Sequence, residues 1–240
     1  KAVSSIALSH STVIRNDRKI LDDVSVRLDA GKKICLVGSS GSGKSTLLRT
    51  MAGVLNMQGG SLAVNGEDVA DRSGLTHKDL LYLTQETTIF SASIGDNVSL
   101  FRKMPEQTLK TALLRAGLGD WFHSAGANLD KVLEKNSAKL SGGEQRRFDF
   151  ARILAEEGKI LLFDEPTAGL DAANARNIMD QIAAMDGCMV MVATHDLDEE
   201  NMRRFDEVYI MENGRVALHG TPDIILVSSR YKGLGQGGGK

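Results

Sequence analysis

The feature that most constrains the fold is a short apolar run that leads directly into a glycine-rich loop and then into a helix. Ile34 to Val37 form the run, and Leu47 to Leu55 have a helical pattern. The loop matches G-x-x-x-x-G-K-[ST] and consists of Gly38, Ser39, Ser40, Gly41, Ser42, Gly43, Lys44, Ser45 and Thr46. Glycines let the backbone approach an anion closely, and N–H groups at a helix start surround phosphate oxygens. The sequence therefore predicts a strand–loop–helix unit that binds nucleotide phosphates.

Lys44 and Ser45 have separate expected roles in this loop. The Lys44 ammonium would lie against the β- and γ-phosphates, and the Ser45 hydroxyl would be a ligand of Mg²⁺. The alternative is a glycine-rich turn that precedes a helix and binds nothing. Because every fixed position of the pattern is filled in the expected context, we favour phosphate binding. Taken alone, the loop leaves kinases, GTPases and many ATPases open.

A second apolar run ends in two acidic residues. Ile160 to Phe163 have the pattern of a buried strand, and Asp164 and Glu165 follow it. Carboxylates at the carboxyl edge of a parallel sheet lie where ligands bind in such folds. We expect Asp164 to hold Mg²⁺ through water and Glu165 to polarise the attacking water. On these residues alone, a solvated charge pair at the end of a strand remains an alternative.

Apolar runs and helical patterns alternate along the chain of 240 residues. This order predicts an α/β fold, a P-loop NTPase core with a mainly parallel sheet, an antiparallel β edge region and an inserted helical subdomain. We expect the core at 1–85 and 158–228 and the helical subdomain at about 86–157. Five glycines near the end of the chain predict a flexible tail at 229–240.

Composition excludes several classes of protein. A net charge of −2 gives no excess of positive charge that would attract nucleic acid, so we predict no nucleic-acid partner. No apolar run approaches the ~18 residues of a membrane span, and no signal peptide is recognised. Cys35 and Cys188 lie in apolar runs, and we expect two buried reduced thiols of a cytosolic protein, with a disulfide bridge between them as the alternative.

The segment Leu140 to Gln145, with the sequence LSGGEQ, resembles the signature of ATP-binding-cassette (ABC) proteins. Other motifs occur in the family's order, namely the glycine loop, Gln85, the signature, the acidic strand, Ala168 to Asp171 and Thr194 to Asp196. The resemblance covers essentially residues 1 to 228. It implies a domain that binds ATP and Mg²⁺, hydrolyses ATP and works in a head-to-tail pair with a second nucleotide-binding domain.

The resemblance also implies roles for individual residues. Gln85 would sense Mg²⁺ and the γ-phosphate, and His195 would contact the γ-phosphate as the switch histidine. Asp171 would lie in the loop that crosses the dimer interface. Ser141 and Gly143 would contact the ATP that is held by the opposite subunit.

Gln85 to Val98 resembles the exporter form of this segment, in which apolar residues meet coupling helices of a membrane domain. Ile89, Phe90 and Ile94 are therefore expected to be partly exposed. Thr194 to Asp196 is instead similar to importer domains, and the signature variant is similar to exporters of cytochrome assembly and thiol export. We predict an exporter-type domain at the cytoplasmic face of the membrane.

Its predicted partners are a second nucleotide-binding domain, in a homodimer or a heterodimer, and transmembrane domains of the same full-length polypeptide. The chain begins immediately before its first predicted strand, as would a domain cut from a longer polypeptide. Two rival functions stay open. One is a soluble ABC ATPase without a transporter, and the other is a degenerate cassette that binds ATP without turnover.

One departure from the exporter pattern concerns adenine. Exporters place an aromatic residue before the first motif, where it stacks on the base. Alignment without gaps puts Arg15 there, and alignment with gaps puts His10 there. None of the chain's tyrosines, Tyr82, Tyr209 and Tyr231, is expected near the site.

A second departure precedes the signature. A Gly-Glu pair of exporters aligns with Glu134 and Lys135, so that a lysine stands at the usual glutamate position. The coupling between subunits is the property that this change would affect.

Overall fold

The structure is a computed structural model that describes residues 2–69, 79–133, 140–156, 158–196 and 198–236. The chain divides into two compact units. The first comprises 1–82, 159–165 and 186–240, and the second comprises 83–158 and 166–185.

Strands and helices are numbered in chain order over the described residues. The strands are β1 (Ser5–Arg15), β2 (Arg18–Asp29), β3 (Lys33–Val37), β4 (Gly59–Val64), β5 (Glu67–Asp68), β6 (Leu80–Leu83), β7 (Ala92–Ser93), β8 (Val132–Leu133), β9 (Ile160–Asp164), β10 (Met189–Thr194), β11 (Glu207–Glu212) and β12 (Arg215–Gly220). The helices are α1 (Lys44–Met51), α2 (Ile94–Ser99), α3 (Glu106–Arg115), α4 (Gly119–Ser124), α5 (Gly142–Ala155), α6 (Ala172–Ala183), α7 (Glu199–Met202), α8 (Pro222–Val227) and α9 (Ser229–Gln236).

The larger sheet has the strand order β12-β11-β3-β10-β9-β6. β10 pairs in parallel with both β3 and β9, and β11 pairs in parallel with β3, whereas β12 runs antiparallel to β11. Every residue of β9 and β10 is buried. Continuous apolar strands of this kind form sheets that are covered on both faces. The predicted α/β class with a mainly parallel sheet is therefore confirmed.

The smaller sheet of the first unit has the order β2-β1-β4-β5 and is antiparallel, as predicted for an edge region. Its buried residues share one apolar core with the larger sheet and with α1, which contributes Leu47, Leu48 and Met51. Removing a leucine side chain from such a core costs about 2–5 kcal/mol. This packing fixes the helix at whose start the glycine loop ends.

The second unit is built around α5. Phe148 on this helix is fully buried and meets the Trp121 ring edge-on at 5.1 Å. Arg152 donates through Nε to the carbonyl of Asn97 and through Nη2 to the carbonyl of Thr88, both at 2.7 Å. Helix α5 thereby holds the segment in which the exporter-like residues lie.

Pro166–Met185 belong to the second unit, although the sequence analysis assigned them to the core. The reason is that α6 forms hydrogen bonds with α3 of the second unit. Asn177 Nδ2 donates to the carbonyl of Arg115 at 3.1 Å, and Arg115 Nε donates to Gln181 Oε1 at 2.8 Å.

The end of the chain differs from the expected flexible tail, because Ser229–Gln236 form helix α9. Tyr231 is buried, and its N–H donates to Ser228 Oγ at 3.2 Å. A buried aromatic side chain therefore anchors the first turn despite the glycines that follow. Residues 237–240 lie outside the described residues.

Two further findings bear on the composition. Cys35 and Cys188 are not joined by a disulfide; Cys35 is buried, whereas Cys188 is only half-buried. In the part of the chain that the structure describes, no helix combines the length and the apolar character that a membrane crossing requires.

Candidate active site

The glycine loop connects β3 to α1, and backbone packing requires its glycines. A Cβ at Gly38 would lie 2.4 Å from the carbonyl oxygen of Met211 and 2.7 Å from Ser42 Oγ. Gly43 has a φ of 105° and immediately precedes α1. That conformation favours glycine, which has no Cβ. The fixed glycines of the pattern are thus explained by the fold itself.

The Lys44 side chain folds back onto this loop. Its Nζ donates to the carbonyl of Gly38 at 2.7 Å and to that of Ser39 at 3.1 Å. Burial lowers the pKa of Lys44, and the nearby carboxylates of Glu165 and Asp164 act in the opposite direction. The ammonium is therefore held among oxygens at the place where phosphates are expected.

Ser42 gives a test of whether a phosphate fits this loop. Its Oγ is buried and has no hydrogen-bond partner within the described residues. A buried hydroxyl without a partner is costly, and a phosphate oxygen would accept a hydrogen bond from it. The loop is therefore compatible with an anionic ligand.

Asp164, at the end of β9, is fully buried and is contacted on both oxygens. Ser45 Oγ donates to Oδ1 at 3.0 Å, and Tyr82 Oη donates to Oδ2 at 3.3 Å. Burial raises the pKa of Asp164, while the Ser45 and Tyr82 hydrogen bonds favour its charged form. A hydroxyl and a carboxylate are hard oxygen donors of the kind that Mg²⁺ prefers, so this pair fits Mg²⁺.

Tyr82 corrects the expectation that no tyrosine lies near the site. It lies on β6, which is next to β9 in the sheet. Burial, reinforced by the charge of Asp164, raises the pKa of Tyr82 to about 12. The sequence carried no local signal for this contact, because the neighbouring strand is remote along the chain.

Glu165 and His195, the predicted base and switch residue, are in direct contact. Glu165 Oε2 lies 2.8 Å from His195 Nδ1 and accepts from the backbone N–H of His195 at 3.3 Å. The Glu165 backbone has a φ of 51°, and its N–H donates to the carbonyl of Ala193 at 2.9 Å. A non-glycine residue in this region is strained and persists where its surroundings enforce it, often at functional sites. The parallel pairing of β9 with β10 brings the two residues together.

The two candidates for the adenine contact are both exposed, at different places on β1. Arg15 is the last residue of the strand and pairs with Arg18 across the hairpin. His10 lies within the strand, and its Nδ1 is 2.7 Å from Asp23 Oδ1. The choice between them stays a prediction.

The remaining predicted site residues lie in the second unit. Ser141 is the N-cap of α5, with its Oγ accepting from the N–H of Glu144 at 3.2 Å. Gly143 is closely approached, since a Cβ there would lie 3.4 Å from Leu170 Cδ2. Gln85 is exposed, and its carbonyl accepts from Arg146 Nη1 at 3.3 Å.

Asp171 is the N-cap of α6 and accepts from the N–H of Asn174 at 2.9 Å. This backbone hydrogen bond, with a second from the Asn174 side chain, lowers the pKa of Asp171. Glu134 and Lys135 lie outside the described residues.

The exporter-like segment matches its expected exposure only in part. Phe90 is partly exposed and Ile89 is half-buried, but Ile94 is fully buried. The expectation for Ile94 was wrong because it is the first residue of α2 and packs inside the second unit. Phe101, which the sequence analysis did not single out, is 61% exposed and meets the Phe90 ring edge-on at 5.7 Å.

Several known proteins are similar to this chain. The family model described as "ABC transporter" matches residues 21–168. The glutathione/L-cysteine transport system ATP-binding/permease protein CydD of Bacillus subtilis (strain 168) is 30% identical over 222 residues, which are 91% of this chain and 38% of the relative. The energy-coupling factor transporter ATP-binding protein EcfA2 of Symbiobacterium thermophilum is 34% identical over 218 residues, which are 85% of this chain and 72% of the relative.

A solved structure of a bacterial Atm1-family ABC exporter with ATP bound has a TM-score of 0.87 at 26% identity. The match covers 99% of this chain and 42% of that one.

The chain belongs to the ABC transporter family. The resemblance to a nucleotide-binding domain of the exporter type, an ATPase domain, is thereby confirmed. The chain spans about two fifths of the length of CydD and of the exporter structure, 38% and 42%.

Proposed function

We propose that this domain binds Mg²⁺-ATP in its glycine loop, hydrolyses it with Glu165 as the base, and drives export through membrane domains of a longer protein. The observation that carries the proposal is the pairing of Glu165 with His195. It places a nearly buried carboxylate next to Asp164, at the edge of the sheet where the Lys44 loop also begins.

Each described group has a chemical task in this proposal. The Lys44 ammonium and the N–H groups at the start of α1 bind the β- and γ-phosphates. Ser45 and Asp164 would hold Mg²⁺, which when bound neutralises charge on the phosphate oxygens. Both residues are already oriented by their mutual hydrogen bond at 3.0 Å.

Hydrolysis itself needs a correctly oriented water. Glu165 accepts a hydrogen bond from the attacking water and draws its proton as the oxygen bonds to the γ-phosphorus. The bond from that phosphorus to the bridging oxygen breaks, and ADP leaves with the electron pair. His195 Nδ1 lies 2.8 Å from Glu165 Oε2, so His195 would help to orient this carboxylate for the reaction.

The pairing of two domains is proposed on the family resemblance. Ser141 and Gly143 would contact the ATP of the opposite subunit, and Gln85 would sense its own γ-phosphate. The partner is a second nucleotide-binding domain, and the membrane helices would belong to the same polypeptide. The relative CydD supports this arrangement, because its name combines an ATP-binding part with a permease.

A separate ATP-binding subunit is a second candidate. The relative EcfA2 favours it, since this chain covers 72% of that ATP-binding protein. The two candidates share the ATPase chemistry and differ in whether membrane spans occur in the same polypeptide. The full-length sequence distinguishes them.

The ATPase proposal is tested with Glu165→Gln. This change keeps the side-chain shape and removes the base, so turnover should fall at least ~100-fold while ATP binding is retained. The variant should also accumulate an ATP-bound dimer on gel filtration, because closure persists until the γ-phosphate leaves. Glu212→Gln is the matched control, since Glu212 pairs with Arg230 at the end of β11. Wild-type hydrolysis in Glu165→Gln, with only monomer in metal-free ATP, would contradict the assignment.

A further inference from the structure

Tyr82 forms a second contact to Asp164. Tyr82 Oη donates to Asp164 Oδ2 at 3.3 Å, on the opposite oxygen from Ser45. The phenol is therefore the donor and the carboxylate the acceptor, as in the hydrogen bond from Ser45.

This arrangement restrains the carboxylate. With Ser45 on one oxygen and Tyr82 on the other, the Asp164 side chain has little freedom to rotate. Groups that hold a metal ligand in this way set its orientation, and removing them typically weakens metal binding or activity about 10- to 100-fold.

We propose that Tyr82 is a positioning residue that orients Asp164 toward the metal of the bound nucleotide. The inference rests on the proposed function of Asp164. Tyr82 also lies three residues before Gln85 in the sequence, so the end of β6 is tied to Asp164 just before the segment that carries the predicted sensor.

The competing explanation is packing, because the Tyr82 side chain also packs against the apolar core. Tyr82→Phe separates the two roles, since it keeps the ring and deletes only the hydroxyl. Tyr209→Phe is a matched control. Tyr209 lies on β11 of the same sheet, and its hydroxyl donates to Glu207 Oε2 at the same distance of 3.3 Å.

The experiment titrates Mn²⁺ into the full 240-residue chain in the presence of a non-hydrolysable ATP analogue and follows bound metal by electron paramagnetic resonance. Tyr82→Phe should weaken Mn²⁺ binding about 10-fold, at the lower end of the usual range because the hydrogen bond is long. Binding of the analogue without metal and the urea midpoint of unfolding should match those of Tyr209→Phe.

Three outcomes are informative. Equal Mn²⁺ affinities of Tyr82→Phe and Tyr209→Phe would overturn the positioning role. Parallel losses of metal binding, metal-free analogue binding and stability would also overturn it, in favour of packing. If the wild-type chain binds no Mn²⁺ in the presence of the analogue, the proposed function is wrong. If the wild-type chain binds Mn²⁺ and Tyr82→Phe binds it equally well, only the positioning role is wrong and the proposed function stands.

Discussion

At the residue scale, Arg15 and His10 differ in what their side chains already contact. His10 Nδ1 lies 2.7 Å from Asp23 Oδ1. Arg15 is the last residue of β1, and its guanidinium forms no ion pair among the described contacts. A guanidinium lies flat on a purine as an aromatic ring does, and such stacking is worth about 1–3 kcal/mol. Arg15→Ala should therefore weaken ATP binding about 5- to 100-fold.

Fluorescence titration with a labelled ATP analogue measures this effect, and Arg15→Tyr should restore the affinity. Arg18→Ala is the control, because Arg18 faces Arg15 across the same hairpin. If His10→Ala weakens binding while Arg15→Ala does not, the gap-free alignment is wrong and adenine lies farther back along β1.

Residues inside a contiguous motif could be predicted from the sequence, and residues joined only by the sheet could not. Every fixed position of the glycine loop was identified, because the pattern itself dictates the backbone. Tyr82 was missed, because its contact with Asp164 depends on β6 lying next to β9. That order is a property of the whole sheet and leaves no trace in the residues around Tyr82.

At the element scale, helix α5 carries a buried ionisable pair. Burial raises the pKa of Asp149 to about 6, although Arg152, Arg146 and the Thr88 backbone favour its charged form. An aspartate in an unfolded chain titrates near ~3.9. Between these pH values the folded domain binds more protons than the unfolded chain, so Asp149 adds stability as the pH falls from about 6 to about 4.

Asp149→Asn removes this pH dependence. The free energy of unfolding of the wild type, minus that of the variant, should rise on acidification by at most ~1.4 kcal/mol per pH unit. Urea unfolding at about pH 7, 6 and 5 measures the difference. Asp120→Asn, at an exposed position of α4, should show no such trend. A difference that is constant across this range would show that Asp149 does not titrate there.

Arg152 of the same helix contacts Phe90, which forms with Phe101 the exposed aromatic pair that we expect to face membrane helices. The Arg152 guanidinium lies over the Phe90 ring at 5.5 Å, and Phe90 in turn meets Phe101. Phe90 is thus partly structural, and Phe90→Ala should cost about 1–2 kcal/mol of stability. Phe101 has no comparable cation contact among the described residues and is the cleaner probe.

Phe101→Ala should leave stability within about 1 kcal/mol and soluble ATPase unchanged, yet reduce transport by the full-length protein. Leu114→Ala is the control, because Leu114 is a similarly exposed apolar residue of the same unit. Equal transport by Phe101→Ala and Leu114→Ala would remove the reason to assign a docking role to this pair.

Element boundaries show where local pattern and tertiary packing disagree. Glycines near the end of the chain predicted a flexible tail, but the burial of Tyr231 outweighs them and α9 forms. Helix α6 follows the acidic strand in sequence and was therefore assigned to the core. The hydrogen bond from Asn177 of this helix to the Arg115 carbonyl instead joins it to the second unit. Burial sets the first outcome, and a hydrogen bond to a residue far along the chain sets the second.

At the scale of the whole molecule, the proposed head-to-tail pair can be tested by asking whether two protomers share each ATP site. Lys44 lies in the first unit and Ser141 in the second. If each ATP is bound by the loop of one protomer and the signature of the other, Lys44→Ala and Ser141→Arg each damage both sites of their own homodimer. A mixed dimer of the two variants combines both defects in one site and leaves the other intact.

Mixing the two inactive variants in equal amounts should therefore restore hydrolysis. Random association makes about half of the dimers mixed, and each has one intact site of two, so the expected activity is about a quarter of wild type. Steady-state phosphate release measures it. The double variant Lys44→Ala/Ser141→Arg mixed with Lys44→Ala is the control, since no dimer in that mixture has an intact site. Activity that stays at the level of the separate variants would show that the two residues do not serve one ATP across protomers.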